Sequence, residues 1–322
     1  MSPPPSPPPS PPSASLPVRA GRRLFDAPYL LLTCTALLWS INIVLGRFIA
    51  GHAPPITLAF VRWGAATLIL LPFALRQIRR DLPLIRASLP FLILLSGTGI
   101  ACYNAMSYYG LQYTDAVNGL LMQSTTPVMV ALWSFALFRD RLTLGQTAGI
   151  LISLIGVLLI IGRGDPLVLL HLDLNVGDVW FLVALLIYAF YASILRNRPP
   201  LGPLSFLAVT MGLGSIILFP FAAAEWMTGR HLVFDQPTVL VLAYIAVGPS
   251  IVAYLFFNRG VELVGPNRAA PFLHLMPVFG TVLAIAFLGE AIAWFHFAGY
   301  VLVIGGIALA TLTARRPQKA GG

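Results

Sequence analysis

Five consecutive residues in the middle of a long apolar run are unusual there because each changes the hydrogen bonding of the segment. They are Gln123, Ser124, Thr125, Thr126 and Pro127, within the stretch LMQSTTPVMVAL. The first four offer polar side chains, and Pro127 lacks the amide hydrogen that would bond the carbonyl four residues earlier. Lipid would penalise the freed carbonyl, whereas water or a polar neighbour satisfies it. The stretch therefore predicts an internal, hydrated cavity.

Catalytic chemistry finds no support in the sequence. No HExxH, GxSxG or Cys/His cluster is present, so the sequence predicts no enzyme, no metal and no cofactor. His274 is the only histidine in the middle of an apolar run, where ionisable groups usually serve a pathway. A neutral imidazole bonded to a neighbour is the alternative interpretation of His274.

The composition requires that lipid surround these residues. The chain has 322 residues, of which 58% are hydrophobic and only 10% charged, and its mean hydropathy is +0.85. A bilayer-spanning helix needs about 20 apolar residues. We predict an all-α integral membrane protein with ten transmembrane helices. The predicted spans are residues 28–49, 56–75, 89–109, 115–137, 145–162, 178–195, 204–225, 239–259, 267–288 and 295–313.

Basic residues predict the orientation of these spans. Sixteen of the twenty fall on the side of the N-terminus, whereas Arg47, Arg163 and Arg230 fall opposite and Arg62 lies within a span. Short loops rich in arginine stay in the cytoplasm, so both termini are expected there, with the protein in the inner membrane. The formal charge of +9 follows from this topology and from anionic lipid, and requires no nucleic-acid partner.

Two tails flank the predicted spans. Residues 1–27 are a proline- and serine-rich segment for which we expect disorder in the cytoplasm, and residues 314–322 form a second cytoplasmic tail. Cys34 and Cys102 lie in apolar spans, so no disulfide is expected.

The chain repeats itself. An offset of 150 residues aligns Gly110 with Gly260, Pro127 with Pro277, Asp140 with Glu290, Gly149 with Gly299 and Gly156 with Gly306. Residues 36–47 resemble residues 184–196 at an offset of 148 to 149. We therefore predict two five-helix units, residues 28–162 and 178–313. Because five is odd, the second unit enters the membrane upside down, and such inverted repeats place a site near the midplane at interrupted helices. Pro127 and Pro277 are the predicted helix breaks.

Several segments in this order resemble the drug/metabolite transporter superfamily, specifically its exporters with two EamA repeats. The segments are ALLWSINIVLGR (36–47), PPITLAFVRW (54–63), FRDRLTLGQTAGILISLIGVLLI (138–160) and FLGEAIAWFHFAGYVLVIGGI (287–307). The resemblance covers about residues 28–313 and is greatest to exporters of aromatic amino acids. The family usually has Gly-Glu at this point of each repeat, as at Gly289-Glu290 in the second. The first repeat has FRDR (138–141) instead, in which Asp140 supplies the acidic residue.

The resemblance implies a central cavity surrounded by spans 1, 3, 4, 6, 8 and 9. Polar or aromatic residues near the middle of those spans are the candidate substrate-binding residues, with packing between helices as the alternative role. The candidates are Trp39, Asn42, Tyr103, Asn104, Gln123, Tyr188, Tyr191, Ser250, Tyr254 and His274.

Other polar and small residues have structural interpretations. Arg62 lies about six residues inside the outer end of span 2, so we expect it to extend to the interface or pair with a carbonyl or a loop acid. Asp140 and Glu290 precede spans 5 and 10, where an acid complements a helix N-terminus. The small-residue stripes of spans 5 and 10, such as Gly149 and Gly306, predict close helix packing, within one chain or across a homodimer.

These residues suit a neutral or zwitterionic amphiphile. No buried basic cluster is available for a phosphate, and no buried carboxylate for a permanent cation. We expect export of aromatic or large neutral amino acids by alternating access, with His274 the first candidate if a proton is coupled. The alternative within transport is another small solute, either a short polar amino acid or a hydrophobic cationic drug. A channel and an intramembrane enzyme are weaker interpretations, and the enzyme would leave the repeat unexplained.

Overall fold

The computed structural model describes residues 25–114, 116–165, 167, 175–288 and 293–313. Most of the predicted N-terminal tail, the tail 314–322 and Glu290 lie outside the described residues. All regular secondary structure in the described part of the chain is helical, with no β-strand. The all-α prediction is therefore confirmed for this part of the chain.

Nine helices of the described residues are long and apolar enough to cross a membrane. They are α1 (Pro28–Phe48), α2 (Pro55–Ala87), α3 (Leu89–Gly110), α4 (Asn118–Phe138), α5 (Leu144–Ile161), α6 (Val176–Asn197), α7 (Pro203–Met227), α8 (Gln236–Val264) and α10 (Trp294–Leu312). We use α9 for residues 266–288, where three shorter helical segments follow one another: Pro266–Ala269, Ala270–His274 and Leu275–Leu288. A tenth span at α9 stays a prediction.

The predicted boundary of the second span is wrong. Residues 76–86 were expected to form a connection, but α2 continues as a helix to Ala87. Arginine, glutamine and leucine are good helix formers, and they extend the helix beyond its apolar part. Near this end of α2, Gln77 Oε1 accepts the amide hydrogen of Leu204 at 3.2 Å, and Asp81 Oδ2 accepts that of Gly202 at 2.7 Å. The charged segment thus supports the start of α7.

Departures from regular helix occur at corresponding places in the two halves. The α3 helix contains a π-helical segment, Gly97–Cys102, and α8 contains another, Ala246–Val252. Turn residues interrupt α4 at Ser124 and Thr125, and α9 has its 3-10 segment at Ala270–His274. The interruption before Pro127 agrees with the predicted break, whereas nothing in the pattern of hydrophobic residues indicated the π segments. π segments often occur at functional sites.

Equivalent helices of the two halves pack antiparallel. Phe60 near the start of α2 contacts Phe219 near the end of α7, with 5.7 Å between ring centroids. At the opposite end of this pair, Gln77 of α2 meets the first turn of α7. The α5 and α10 helices are arranged in the same way, because Gly149 lies against Ala310 and Gly156 against Gly299.

The small-residue stripes of α5 and α10 bring their backbones together. A Cβ atom on Gly149 would lie 2.4 Å from the Ala310 nitrogen, and one on Gly306 would lie 2.5 Å from the Gly149 oxygen. Any larger side chain at either glycine would separate the two helices. The predicted close packing is therefore confirmed, and it occurs within one chain.

Polar contacts join the helix ends at both ends of the bundle. At one end are Arg196–Asp140, Arg198–Glu262, Arg259–Asp26 and Gly202–Asp81. At the other are His52–Asp235, Thr57–Glu225, Arg47–Leu111 and Thr114–Asp178. The interpretation of Asp140 as a helix cap is wrong. Thr143 caps α5 in a box with Gln146, and Asp140, three residues earlier, pairs with Arg196 instead.

Candidate functional site

A cluster of aromatic side chains lies buried where the two halves meet. Trp39 of α1 contacts three rings of the second half, with centroid distances of 5.7 Å to Tyr188, 5.3 Å to Tyr254 and 5.1 Å to Phe257. Tyr103 of α3 lies 4.7 Å from Tyr188. All but Tyr103 are buried, and Tyr103 packs against the core at its edge. The aromatic cluster therefore joins α1 and α3 to α6 and α8.

The π segments position this cluster through their carbonyl groups. Trp39 Nε1 donates to the Pro249 oxygen at 3.0 Å, and the Tyr254 hydroxyl donates to the Gly99 oxygen at 2.7 Å. Gly99 and Pro249 correspond at the repeat offset of 150 residues. A π segment changes the register of the helical hydrogen bonds, and here each of these carbonyls accepts a side-chain donor from another helix.

Arg62 is the centre of the polar part of the site. Its side chain is only 1% exposed. Nε donates to Ser250 Oγ at 2.6 Å, and Nη1 contacts Tyr108 Oη at 2.7 Å, Asn104 Oδ1 at 3.0 Å and Asn42 Oδ1 at 3.3 Å. The guanidinium carbon also lies 4.6 Å from the centroid of the Trp63 ring.

The expectation for Arg62 is correct only in part: two of its partners are carbonyl oxygens, those of the Asn42 and Asn104 side-chain amides. We expected this side chain to extend to the interface or to pair with a carbonyl or a loop acid. It neither extends to the interface nor meets a loop acid among the described residues, but points into the bundle, where uncharged oxygens of α1, α3 and α8 are close enough to accept its hydrogen bonds.

Two tyrosine–asparagine pairs flank the site at equivalent positions. The Tyr108 hydroxyl of α3 donates to Asn42 Oδ1 of α1 at 3.1 Å. In the second half, the Tyr191 hydroxyl of α6 donates to Asn258 Oδ1 of α8 at 2.9 Å. The α1 helix corresponds to α6 and α3 to α8, so asparagine and tyrosine are swapped between the two halves. The same type of contact is formed in both.

A small cavity lies among these groups. Trp39, Asn42, Arg62, Tyr103, Asn104 and Tyr254 line it together with Ile43 and Met276. Its volume is about 10 Å³, on the order of what one water molecule requires. An amino acid needs far more room, so its binding would require the helices to separate.

A larger groove of about 410 Å³ lies between α4 and α5. Its lining is mostly apolar and includes the exposed Leu132, Phe135 and Leu151. Such a groove fits the lipid-facing side of the bundle better than a site for a polar solute.

Gln123 and His274 belong to a second buried group. His274 Nε2 donates to the Ser124 carbonyl at 2.7 Å, and its Nδ1 lies 2.5 Å from Ser153 Oγ. Gln123 Nε2 donates to Thr126 Oγ1 at 3.1 Å, while Gln123 Oε1 has no partner among the described residues. Both side chains are almost fully buried. The contacts of His274 correspond to the alternative of a neutral imidazole bonded to neighbours.

The structure brings most candidate residues together. The aromatic cluster and the surroundings of Arg62 contain Trp39, Asn42, Tyr103, Asn104, Tyr188, Tyr191, Ser250 and Tyr254. Gln123, His274 and the two prolines lie on α4 and α9 instead. A role in substrate binding or gating stays a prediction for all of them.

Sequence reasoning missed Tyr108 and Asn258, and it undervalued Arg62. Tyr108 follows Asn104 by four residues and Asn258 follows Tyr254 by four, so each shares a helix face with a candidate. That spacing was the available signal. For Arg62, the signal was its depth: Arg47, Arg259 and Arg268 lie within two residues of the end of a predicted span, whereas Arg62 lies about six residues inside one.

The fold and the site together define a polytopic helical membrane protein with a polar and aromatic cavity at its centre. The EamA-like transporter family matches residues 27–162 and again residues 175–312, and the chain belongs to this family. It is therefore a multi-pass membrane transporter and not an enzyme. The resemblance to transporters with two EamA repeats is confirmed, while the similarity to exporters of aromatic amino acids stays a prediction.

Individual relatives agree with this assignment. The uncharacterized transporter YyaM of Bacillus subtilis is 27% identical over 294 residues, which cover 90% of this chain and 95% of the relative. A probable amino-acid metabolite efflux pump of Salmonella typhimurium is 27% identical over 84% of this chain and 90% of its own. One solved crystal structure superimposes with a TM-score of 0.71 over 92% of this chain and 99% of its own, and at 21% identity this likeness shows the fold alone.

Proposed function

We propose that this chain exports small amphiphilic metabolites, in particular aromatic and large neutral amino acids, from the cytoplasm. The observation that carries the proposal is the buried cavity between the halves, where Trp39 and Arg62 of the first half meet Tyr254 of the second. Aromatic rings bind the side chain of such a solute by stacking, and the polar groups bind its amino-acid end. The name of the relative from Salmonella typhimurium supports the same class of solute.

The transport cycle is alternating access between two inverted halves of five helices. The antiparallel packing of α2 with α7 and of α5 with α10 supports this arrangement, because an inverted repeat relates each of these helices to its partner. The repeated π segments support it as well. Opening the cavity toward one side and then the other would admit the solute that the present cavity excludes.

Both termini lie in the cytoplasm and the protein lies in the inner membrane under this proposal. The distribution of basic residues supports it, since sixteen of twenty fall on one side of the ten spans. The ion pairs at the helix ends are consistent with this distribution. Asp26, Asp140 and Glu262 pair at one end of the bundle with three arginines that are among the sixteen. All of the residues that line the cavity come from one chain.

Uptake by reconstituted liposomes tests the function. Purified protein is given phenylalanine, tyrosine, tryptophan, threonine, cysteine and a cationic dye in parallel. We expect saturable uptake of the aromatic amino acids, weaker uptake of threonine and cysteine, and no uptake above protein-free liposomes for the dye. Robust movement of the dye without any of the amino acids would overturn the proposed substrate class.

A further inference from the structure

The buried charge of Arg62 has no counterion within the described part of the chain. No carboxylate of the described residues lies within ion-pairing distance of its guanidinium group. Its partners are the uncharged oxygens of Ser250, Asn42, Asn104 and Tyr108. A charge in a bilayer-spanning helix is costly, and such residues are usually retained for a function.

One side of the guanidinium group remains available for a ligand. Nε and Nη1 make all of the hydrogen bonds of Arg62 among the described residues, and Nη2 makes none. Arg62 also lines the central cavity, which has no acidic residue among its lining side chains. An N–H donor on a cation beside a cavity suits a carboxylate oxygen, which accepts a charge-assisted hydrogen bond.

The fold does not require a charge at this position. Offsets of 148 to 150 residues, which align the two halves, place Thr210, Met211 and Gly212 of α7 at the position of Arg62. None of these residues is charged, yet α7 packs against α2 as its antiparallel equivalent. Arg62 therefore makes the site asymmetric, which is what binding an asymmetric solute requires.

We propose that Arg62 is the carboxylate subsite of the cavity, and that the cavity selects small aromatic carboxylates, amino acids among them, over the corresponding amines. This inference rests on the proposed function, because it assigns the orientation of the same solute. The carboxylate bonds Arg62 Nη2, and the aromatic ring packs near Trp39 and Tyr254. The ammonium group of an amino acid meets no acidic side chain in this cavity, so it contributes less to binding.

Three probes that share one aromatic ring separate the two charged groups. Unlabelled L-phenylalanine, 3-phenylpropionate and phenethylamine compete with labelled phenylalanine for uptake by wild-type proteoliposomes. We expect 3-phenylpropionate to compete at least about tenfold better than phenethylamine, the scale of one charge-assisted hydrogen bond. Competition by phenethylamine that equals that of 3-phenylpropionate would overturn the subsite.

A carboxylate placed beside Arg62 should block the subsite from within. Asn42 Oδ1 lies 3.3 Å from Arg62 Nη1, so Asn42→Asp supplies an internal counterion at nearly constant shape. We expect 3-phenylpropionate to bind at least about tenfold more weakly to Asn42→Asp, while phenethylamine binds as well as before or better. Asn42→Ala removes the amide without adding charge and should preserve the preference for the carboxylate. Equal losses in Asn42→Asp and Asn42→Ala would contradict the proposal.

Direct substitutions of Arg62 complete the test. Arg62→Gln should lose the preference for 3-phenylpropionate, Arg62→Lys should retain part of it, and Arg47→Gln near the end of α1 should leave it unchanged. Binding to purified protein, followed by tryptophan fluorescence, separates this inference from the proposed function. If wild-type protein transports no amino acid, the proposed function fails, and the ratio of 3-phenylpropionate to phenethylamine binding still decides the subsite.

Discussion

His274 of α9 donates a hydrogen bond from Nε2 to the carbonyl oxygen of Ser124 in α4, at 2.7 Å. In a continuous helix the Val128 amide would bond this carbonyl, but here that amide bonds the Thr125 oxygen at 3.1 Å. The interruption before Pro127 thus exposes an acceptor, and a histidine from the other half satisfies it. Because Ser153 Oγ occupies the other ring nitrogen, the imidazole joins α4, α5 and α9.

His274→Ala should destabilise the protein more than it alters transport chemistry. The substitution leaves the Ser124 carbonyl buried without a donor, at a cost of about 1–3 kcal/mol. Thermal unfolding in detergent measures the effect, and His231→Ala, at an exposed histidine, is the matched control. Since both ring nitrogens are bonded, we also expect the pH profile of uptake to keep its shape in a folded His274 variant. Loss of pH dependence in that variant alone would instead assign His274 to proton coupling.

Adjacent glycines of α10 give a second test of the packing. A Cβ atom on Gly306 would lie 2.5 Å from the Gly149 oxygen, whereas one on Gly305 would meet no atom within 4 Å. We expect Gly306→Ala to lower the free energy of unfolding by about 1–3 kcal/mol, and Gly305→Ala to leave it unchanged or raise it by up to about 1 kcal/mol because alanine favours the helix. Thermal unfolding of the two purified variants in the same detergent makes the comparison. Equal unfolding temperatures would show that α5 and α10 do not pack as described.

Single cysteines at opposite ends of the bundle test the orientation. Leu144 at the start of α5 is 91% exposed and Met227 at the end of α7 is 87% exposed. In a background where Cys34 and Cys102 are alanine, a membrane-impermeant maleimide should label Met227→Cys in spheroplasts, whose inner membrane is intact. Leu144→Cys should react only after lysis. The proposal has three membrane crossings between these positions, namely α5, α6 and α7. Labelling of both positions from the same side would refute it.

Several features of the fold followed from the sequence because they depend on local composition. Apolar length and the basic residues between spans predicted the starts of most helices to within a few residues. Pro127 predicted the interruption of α4, since a missing amide acts on the preceding turn. Trp39 and Asn42 were both candidates from the sequence, and their spacing of three residues puts them on one face of α1, where both line the cavity.

Other features depend on contacts between distant segments, which local patterns do not encode. The partners of Arg62 come from α1, α3 and α8. The sequence around Arg62 in α2 therefore does not reveal that its side chain points into the bundle. The π segments, GTGIAC and AVGPSIV, lie within long apolar spans, and the hydrophobic pattern of those spans does not distinguish a π turn from an α turn. Asp140 pairs with Arg196 because the fold brings the end of α6 to the segment between α4 and α5.

Initial rates of labelled phenylalanine uptake by Trp39 variants test the central claim most directly. Trp39 contacts Tyr188, Tyr254 and Phe257 and bonds the Pro249 carbonyl, so Trp39→Ala should reduce uptake by at least about tenfold. Trp39→Phe keeps a ring and should retain an intermediate rate. The exposed Trp226→Ala, at the end of α7, should match wild type. Saturable uptake at the wild-type rate by folded Trp39→Ala would contradict transport through the cavity between the two halves.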